Sequence, residues 1–137
     1  MMNSHIQLGH DVPEAEEYNK LRVKAGLSPK DIEASRRGLQ GSLFIATLRL
    51  EGKLIGMGRV IGDGGCIYHV VDIAVDPDHQ GQGLGKRIMA EITGYLDHNA
   101  PPTAYVSLIA DVPADRLYRQ FGFEETAPAS VGMYRRF

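Results

Sequence analysis

The stretch from Cys66 to Arg87, CIYHVVDIAVDPDHQGQGLGKR, restricts the possible folds of this chain more than any other. Its first ten residues form a β-branched, apolar run that reads as a buried strand, Cys66 to Val75, which Asp76-Pro77 ends. From Gly83 onward, Leu84, Ile88, Ile92, Tyr95 and Leu96 recur at helical spacing. Between strand and helix lie Gly81, Gly83 and Gly85, with Lys86 and Arg87 directly after them. A glycine inside a helix costs roughly 1 kcal/mol against alanine, so three where a helix begins call for a reason. The first N–H groups of a helix have no partner and its macrodipole puts partial positive charge there, so a glycine-cleared helix start is an anion site. Ala104 to Ile109, AYVSLI, reads as the next strand. A strand–helix–strand unit needs a parallel pair joined by a right-handed crossover.

The rest of the chain builds around that unit. Ser42 to Leu50 and Lys53 to Ile61 read as strands joined at Glu51-Gly52, and Asp63-Gly64-Gly65 turns into the buried strand, giving an antiparallel meander. Gly56 and Gly58 are poor in a strand interior and point to a bulge or a close neighbour. Asp11 before Pro13 reads as the cap of a first helix carrying Tyr18, Leu21 and Ala25 and stopped by Gly26. Ser28-Pro29 opens a second helix that Gly38 ends, and Asp111 caps a last helix to Tyr118, broken by Gly122. The tail, Glu124 to Phe137, offers one or two edge strands. The expectation is an α/β chain of the α+β kind, a mostly antiparallel mixed sheet flanked by helices, in one domain over residues 1–137 with no linker or repeat. Net charge is −2 and no lysine or arginine run exceeds a pair, which argues against a nucleic-acid partner. No apolar run approaches membrane-spanning length, and Met1 to His10 lacks a signal-peptide stretch. The single Cys66 suits a reducing cytoplasm, is expected as a small buried thiol, and leaves no multi-cysteine metal site.

Three glycine motifs can be tested against the loop. A dinucleotide fingerprint starting at Gly81 needs glycine where Lys86 stands, and a P-loop ending at Gly85-Lys86 needs glycine and Ser/Thr where Gln80 and Arg87 stand. What fits is Gln80-x-x-Gly83-x-Gly85, which resembles the [QR]-x-x-G-x-[GA] pyrophosphate loop of the GNAT superfamily of N-acetyltransferases. A second segment, Leu117-Tyr118-Arg119-Gln120-Phe121-Gly122-Phe123, resembles that family's L-Y-x-x-x-G-F signature. The resemblance runs from about Leu43 to Phe123.

The resemblance implies the GNAT acyl-CoA N-acyltransferase fold, with a splayed parallel strand pair, and direct acetyl transfer from acetyl-CoA, without a metal, to a primary amine. The diphosphate would sit on Gln80, Gly81, Gln82, Gly83, Leu84, Gly85 and Lys86, and the pantetheine arm would run along Ile73, Ala74 and Val75. An N–H near Ile73 would meet the thioester oxygen. The amine must attack uncharged, so a general base is needed. His69 aligns with a position where several members carry a Glu or His base, and an ordinary imidazole suits the task. Asp72, set in the apolar VVDIAV, is the second candidate, as base, water-orienting group or binder of a substrate cation. Strict alternation puts His69 and Asp72 on opposite faces unless a bulge intervenes, and His69 ranks slightly ahead. Tyr118 holds the family position that often donates a proton to the leaving thiolate. Where members often carry asparagine, seven residues earlier, this chain has Asp111, read as a helix cap rather than a cofactor contact.

The acceptor is less legible. The first two helices, about Tyr18 to Gly41, would cover it, with Tyr18, Asn19, Arg22 and Arg37 as contacts and Pro128 to Met133 closing the other side. Asp72 favours a cationic amine, whereas the arginines favour a carboxylate. A small-molecule amine is the first reading. A protein amine, a non-catalytic acyl-CoA sensor and an unrelated nucleotide-phosphate binder are the alternatives. An open mixed sheet leaves an edge that a second copy could cover, making a homodimer.

Overall fold

The computed structural model describes residues 5–137; the first four residues of the expected 1–137 domain lie outside the described part. The chain forms β1 (Ile6–Gly9), α1 (Ala15–Lys24), α2 (Ile32–Gln40), β2 (Phe44–Leu50), β3 (Lys53–Gly62), β4 (Ile67–Val75), α3 (Leu84–Asn99), β5 (Tyr105–Leu108) and α4 (Asp115–Arg119). The five strands lie in sequence order in one sheet. Every neighbouring pair is antiparallel except β4 and β5, which are parallel and joined through α3. This is the mixed sheet expected from the strand–helix–strand unit.

Two apolar clusters form the core on the two sides of the sheet. Leu84, Ile88, Met89, Ile92 and Leu96, one stripe of α3, pack with Ala46, Leu48, Ile55, Val60, Tyr68 and Val70 of the strands, and Tyr118 of α4 joins them. Tyr18 and Leu21 of α1 and Leu39 of α2 pack with Leu54, Met57 and Ala74. The sheet is therefore covered by α3 and α4 on one face and by α1 and α2 on the other.

One irregularity in β4 positions the site. Met57 pairs with Ala74 and Arg59 with Val71, so Asp72 and Ile73 together oppose Gly58. This is a β-bulge, and Asp72 carries its left-handed residue at φ 59. The bulge shifts the alternation. Tyr68 and Val70 face α3, yet Asp72 reaches α1, on the same side as Ala74. His69, between Tyr68 and Val70, is on that side too, so the expected separation of His69 from Asp72 by alternation does not hold. Gly58 supplies the room: a Cβ there would lie 2.5 Å from Ile73 Cδ1, 2.7 Å from Ile88 Cγ2 and 2.8 Å from Ile92 Cδ1. Overpacking of this kind costs about 1–3 kcal/mol, so Gly58→Ala is expected to lower the thermal midpoint by several degrees in a melting experiment. An unchanged midpoint would show that the three isoleucine ends yield freely.

Several boundaries differ from the sequence reading. β1 was not expected; it pairs Ile6 with Leu50 and buries Ile6 at the sheet edge. Asp11 does not cap α1. Glu14 and Glu17 form the capping box, while Asp11 accepts hydrogen bonds from Thr47 and Arg49. Asp31, not Ser28, caps α2, which runs through Gly38 to Gln40. Asp111 does not cap α4 either, since that helix follows Ala114 without a side-chain cap. The tail from Glu124 forms no strand. Cys66 is exposed rather than buried.

Candidate active site

The parallel pair is short. β4 and β5 stay in register from Ile67/Tyr105 to Val70/Leu108 and pair no further, although β4 continues to Val75. Beyond Val70, the β5-side edge of β4 faces a cleft of about 1550 Å³ instead of a strand. The cleft passes through this gap in the sheet. Its walls come from Tyr18 and Arg22 on one face and from Leu84, Leu117 and Tyr118 on the other. Val71 to Val75 run through its middle.

The glycine loop forms one end of the cleft. Gly81 and Gly83 have φ of 82° and 76°, the left-handed region where glycine pays no Cβ penalty. Gly83 is the N-cap of α3, and the first helical bond runs from the Arg87 N–H to the Gly83 carbonyl. The amides of Leu84, Gly85 and Lys86 therefore have no intrahelical acceptor, and all three residues line the cleft. Gly85 has a separate reason: a Cβ there would meet Leu117 Cδ2 of α4 at 3.2 Å. Gln80, Gly81, Gly83, Leu84, Gly85 and Lys86 all line the cleft, as do Ile73, Ala74 and Val75. Gln82, between Gly81 and Gly83, is not on the lining.

The turn before the loop is fixed by Asp76. Its buried carboxylate accepts the Asp78 N–H at 2.9 Å and the Lys24 ammonium at 3.0 Å, and Lys24 also reaches Asp78 at 2.9 Å. Burial pushes the Asp76 carboxyl up, but the Asp78 amide and Lys24 together hold it below its ordinary value. A carboxyl lowered on folding stabilises the native state above its unfolded pKa, and that contribution disappears as pH falls through the folded value. The thermal midpoint should therefore hold from pH 7 to pH 5 and drop below about pH 4. Asp76→Asn should melt earlier at pH 7 and show a weaker acid dependence; an acid profile identical to the wild type would contradict this assignment.

His69 pairs across the parallel ladder with Ser107, and its Nδ1 lies 2.9 Å from the Ser107 hydroxyl. When Nδ1–H donates to that oxygen, Nε2 is left as a lone pair on a residue lining the cleft. Tyr118 is buried in the opposite wall. Burial first, and then the Asp111 carboxylate, push its phenol above the ordinary value, so it stays protonated.

Asp72 is placed differently from the sequence reading. Its Oδ1 accepts from Arg22 Nη1, and its Oδ2 accepts from Arg59 Nε at 2.7 Å and from the Tyr18 hydroxyl at 2.8 Å. A carboxylate held by two guanidiniums and a phenol is committed to the scaffold. It is neither a free base nor a site for a substrate cation. Arg22 is likewise no solvated helix charge; it is buried and also donates to the Ser28 carbonyl at 2.8 Å. Asn19 does not face an acceptor, because it ties α1 to Ser35 and the Lys30 amide. Arg37 is outside the cleft lining, and so is Pro128 to Met133; from the tail, Arg136 takes part. Sequence reasoning missed Arg59 and Ser107. Arg59 had a usable signal, a lone arginine in the apolar GMGRVIG strand beside a strand with a lone aspartate.

Comparison with known proteins matches this geometry. A family described as "Acetyltransferase (GNAT) domain" matches residues 14–134. A solved Staphylococcus aureus protein of unknown function, described as a probable acetyltransferase, is 49% identical with a TM-score of 0.93, covering 96% of this chain and 99% of that one. An uncharacterised N-acetyltransferase of Gracilaria tenuistipitata var. liui is 29% identical over 96% of this chain and 70% of its own length. GCN5-related N-acetyltransferase 2 of Arabidopsis thaliana is 36% identical over 61% of this chain, which spans only 32% of that protein. With the splayed strand pair, the left-handed glycine loop and the family match over most of its length, the chain belongs to the GNAT acetyltransferase family.

Proposed function

We propose that the protein moves an acetyl group from acetyl-CoA directly to the primary amine of a small molecule. The observation that carries this reading is the parting of β4 from β5 beyond Val70 and Leu108, next to the uncapped amides of α3. The diphosphate rests on the amides of Leu84, Gly85 and Lys86, and the pantetheine arm fills the strand gap along Ile73 to Val75. Acetyl-CoA supplies an activated carbonyl carbon. The chain's own groups do the rest. His69 Nε2 takes a proton from the incoming ammonium, directly or through water, so that the nitrogen attacks with a free pair. The N–H near Ile73 holds the oxygen on which charge develops. As the C–S bond breaks, the Tyr118 phenol gives its proton to the sulfur and regains one from solvent, while the nitrogen, now bonded to the carbonyl carbon, gives up its second proton to water as the amide forms. The balance is amide, free thiol and one proton released.

The test is thiol release from acetyl-CoA in the presence and absence of an amine panel. Amine-dependent thiol with the matching N-acetyl product supports the reading. Tight acetyl-CoA binding with no thiol released for any small amine or peptide would favour a non-catalytic acyl-CoA sensor instead.

A further inference from the structure

The cluster around Asp72 carries more positive charge than it neutralises. Arg22, Asp72 and Arg59 side chains are 7%, 9% and 14% exposed, so all three are largely withdrawn from water. Two guanidiniums share the one carboxylate, and their other acceptors, the Ser28 and Gly38 carbonyls and the Ser42 hydroxyl, are neutral. The Tyr18 ring has Arg22 Cζ 5.8 Å and Arg59 Cζ 5.9 Å from its centroid, which softens the charge without cancelling it. Each guanidinium keeps an Nη2 that has no acceptor among the described residues. A buried charge short of a counter-ion is costly, and a ligand anion relieves it.

We propose that the acceptor is an amine that also carries an oxyanion, carboxylate or phosphate, and that Arg22 and Arg59 receive that oxyanion while the amine faces His69. This rests on the acyl-transfer reading and names its substrate class. Both arginines line the same cleft as His69. Arg59 sits opposite Val71 and Ile61 opposite His69, so the cation is two residues, roughly 7 Å along the strand, from the rung of the base. A guanidinium fork matches both carboxylate and phosphate. Lys30 adds a further cation to this side of the cleft. Among the described residues the only other carboxylate on the lining is Asp111, which stands beside Tyr118. A dicationic acceptor would meet net repulsion here.

The experiment uses wild-type protein and two matched sets: 4-aminobutyrate against n-butylamine and 1,4-diaminobutane, and phosphoethanolamine against ethanolamine. We expect at least one amine that carries an oxyanion to exceed its counterpart without one in kcat/KM by about tenfold or more. Whichever set shows the larger ratio distinguishes carboxylate from phosphate. In protein saturated with coenzyme A, so that the loop is filled, acetate or inorganic phosphate should still compete with the amine, and the preferred amine should still bind by calorimetry. Arg59→Gln should erase the preference through KM and leave the affinity for acetyl-CoA intact. The wild-type comparison does not depend on that variant folding. Equal or better use of butylamine or diaminobutane, or of peptide amines regardless of acidic residues, would overturn the proposal while leaving acyl transfer standing. Absence of acetyl-CoA binding would defeat the acyl-transfer reading itself, and this inference with it.

Discussion

Gly83→Asp is expected to lose about a hundredfold or more in affinity for acetyl-CoA while the protein stays folded. Gly83 caps α3 at φ 76, and nothing lies within 4 Å of the Cβ it lacks, so a Cβ there meets no atom beyond its own chain neighbours. Aspartate tolerates the left-handed region better than most residues, so the fold cost is about 1 kcal/mol. The effect on the anion is larger. The carboxylate would occupy the space in front of the Leu84 to Lys86 amides and place a negative charge where the diphosphate must sit. Losing two charge-assisted hydrogen bonds and adding repulsion amounts to roughly 3 kcal/mol, hence the hundredfold. Calorimetry with acetyl-CoA gives the affinity, and circular dichroism with a melting curve gives the fold. Wild-type affinity in a folded variant would move the diphosphate away from this loop.

The second large effect falls on the chemistry. Tyr118→Phe should lower kcat by about a hundredfold or more, within the usual range for a general acid, with little change in the KM for acetyl-CoA. The phenol is raised by burial and by Asp111, so in the wild type an alkaline limb set by Tyr118 should appear only above about pH 10. An acid must be protonated to act, so activity is lost as pH rises through that raised value, and the variant should lack this limb. His69→Gln should act on the other side. An alkyl amine near pKa 10.4 is free base in only about one molecule in 2,500 at pH 7, so loss of the base should cost about a hundredfold in kcat. That cost should shrink as pH rises and the amine deprotonates by itself. Equal losses at all pH values for His69→Gln would make His69 a structural partner of Ser107 and nothing more.

What could be read from the letters depended on whether local physics decided it. β2 to β5 and α3 have their own apolar periods, and their bounds fall within two residues of expectation. The loop was legible because left-handed glycines and an uncapped helix start are local needs. β1 was not, since four residues, IQLG, carry too little pattern and gain their order from pairing with β2. Asp11 looked like a cap from its neighbours, but Arg49 and Thr47, distant in sequence, claim it. The acceptor side was the least legible. Asp72 and Arg22 pulled the reading in opposite directions because alternation alone does not show a bulge. The left-handed Asp72 turns its carboxylate onto Arg22 and Arg59, so the one negative charge is taken up inside the chain and the two arginines keep a net positive charge.

The most direct test of the account is a calorimetric titration of acetyl-CoA, coenzyme A and ATP into the wild-type protein. The account predicts one site, micromolar binding of both CoA species, and clearly weaker binding of ATP, which has phosphates for the loop but no arm for the gap between β4 and β5. No binding of either CoA species, or ATP binding as tightly as coenzyme A, would contradict it and leave the glycine loop as a phosphate site of another kind.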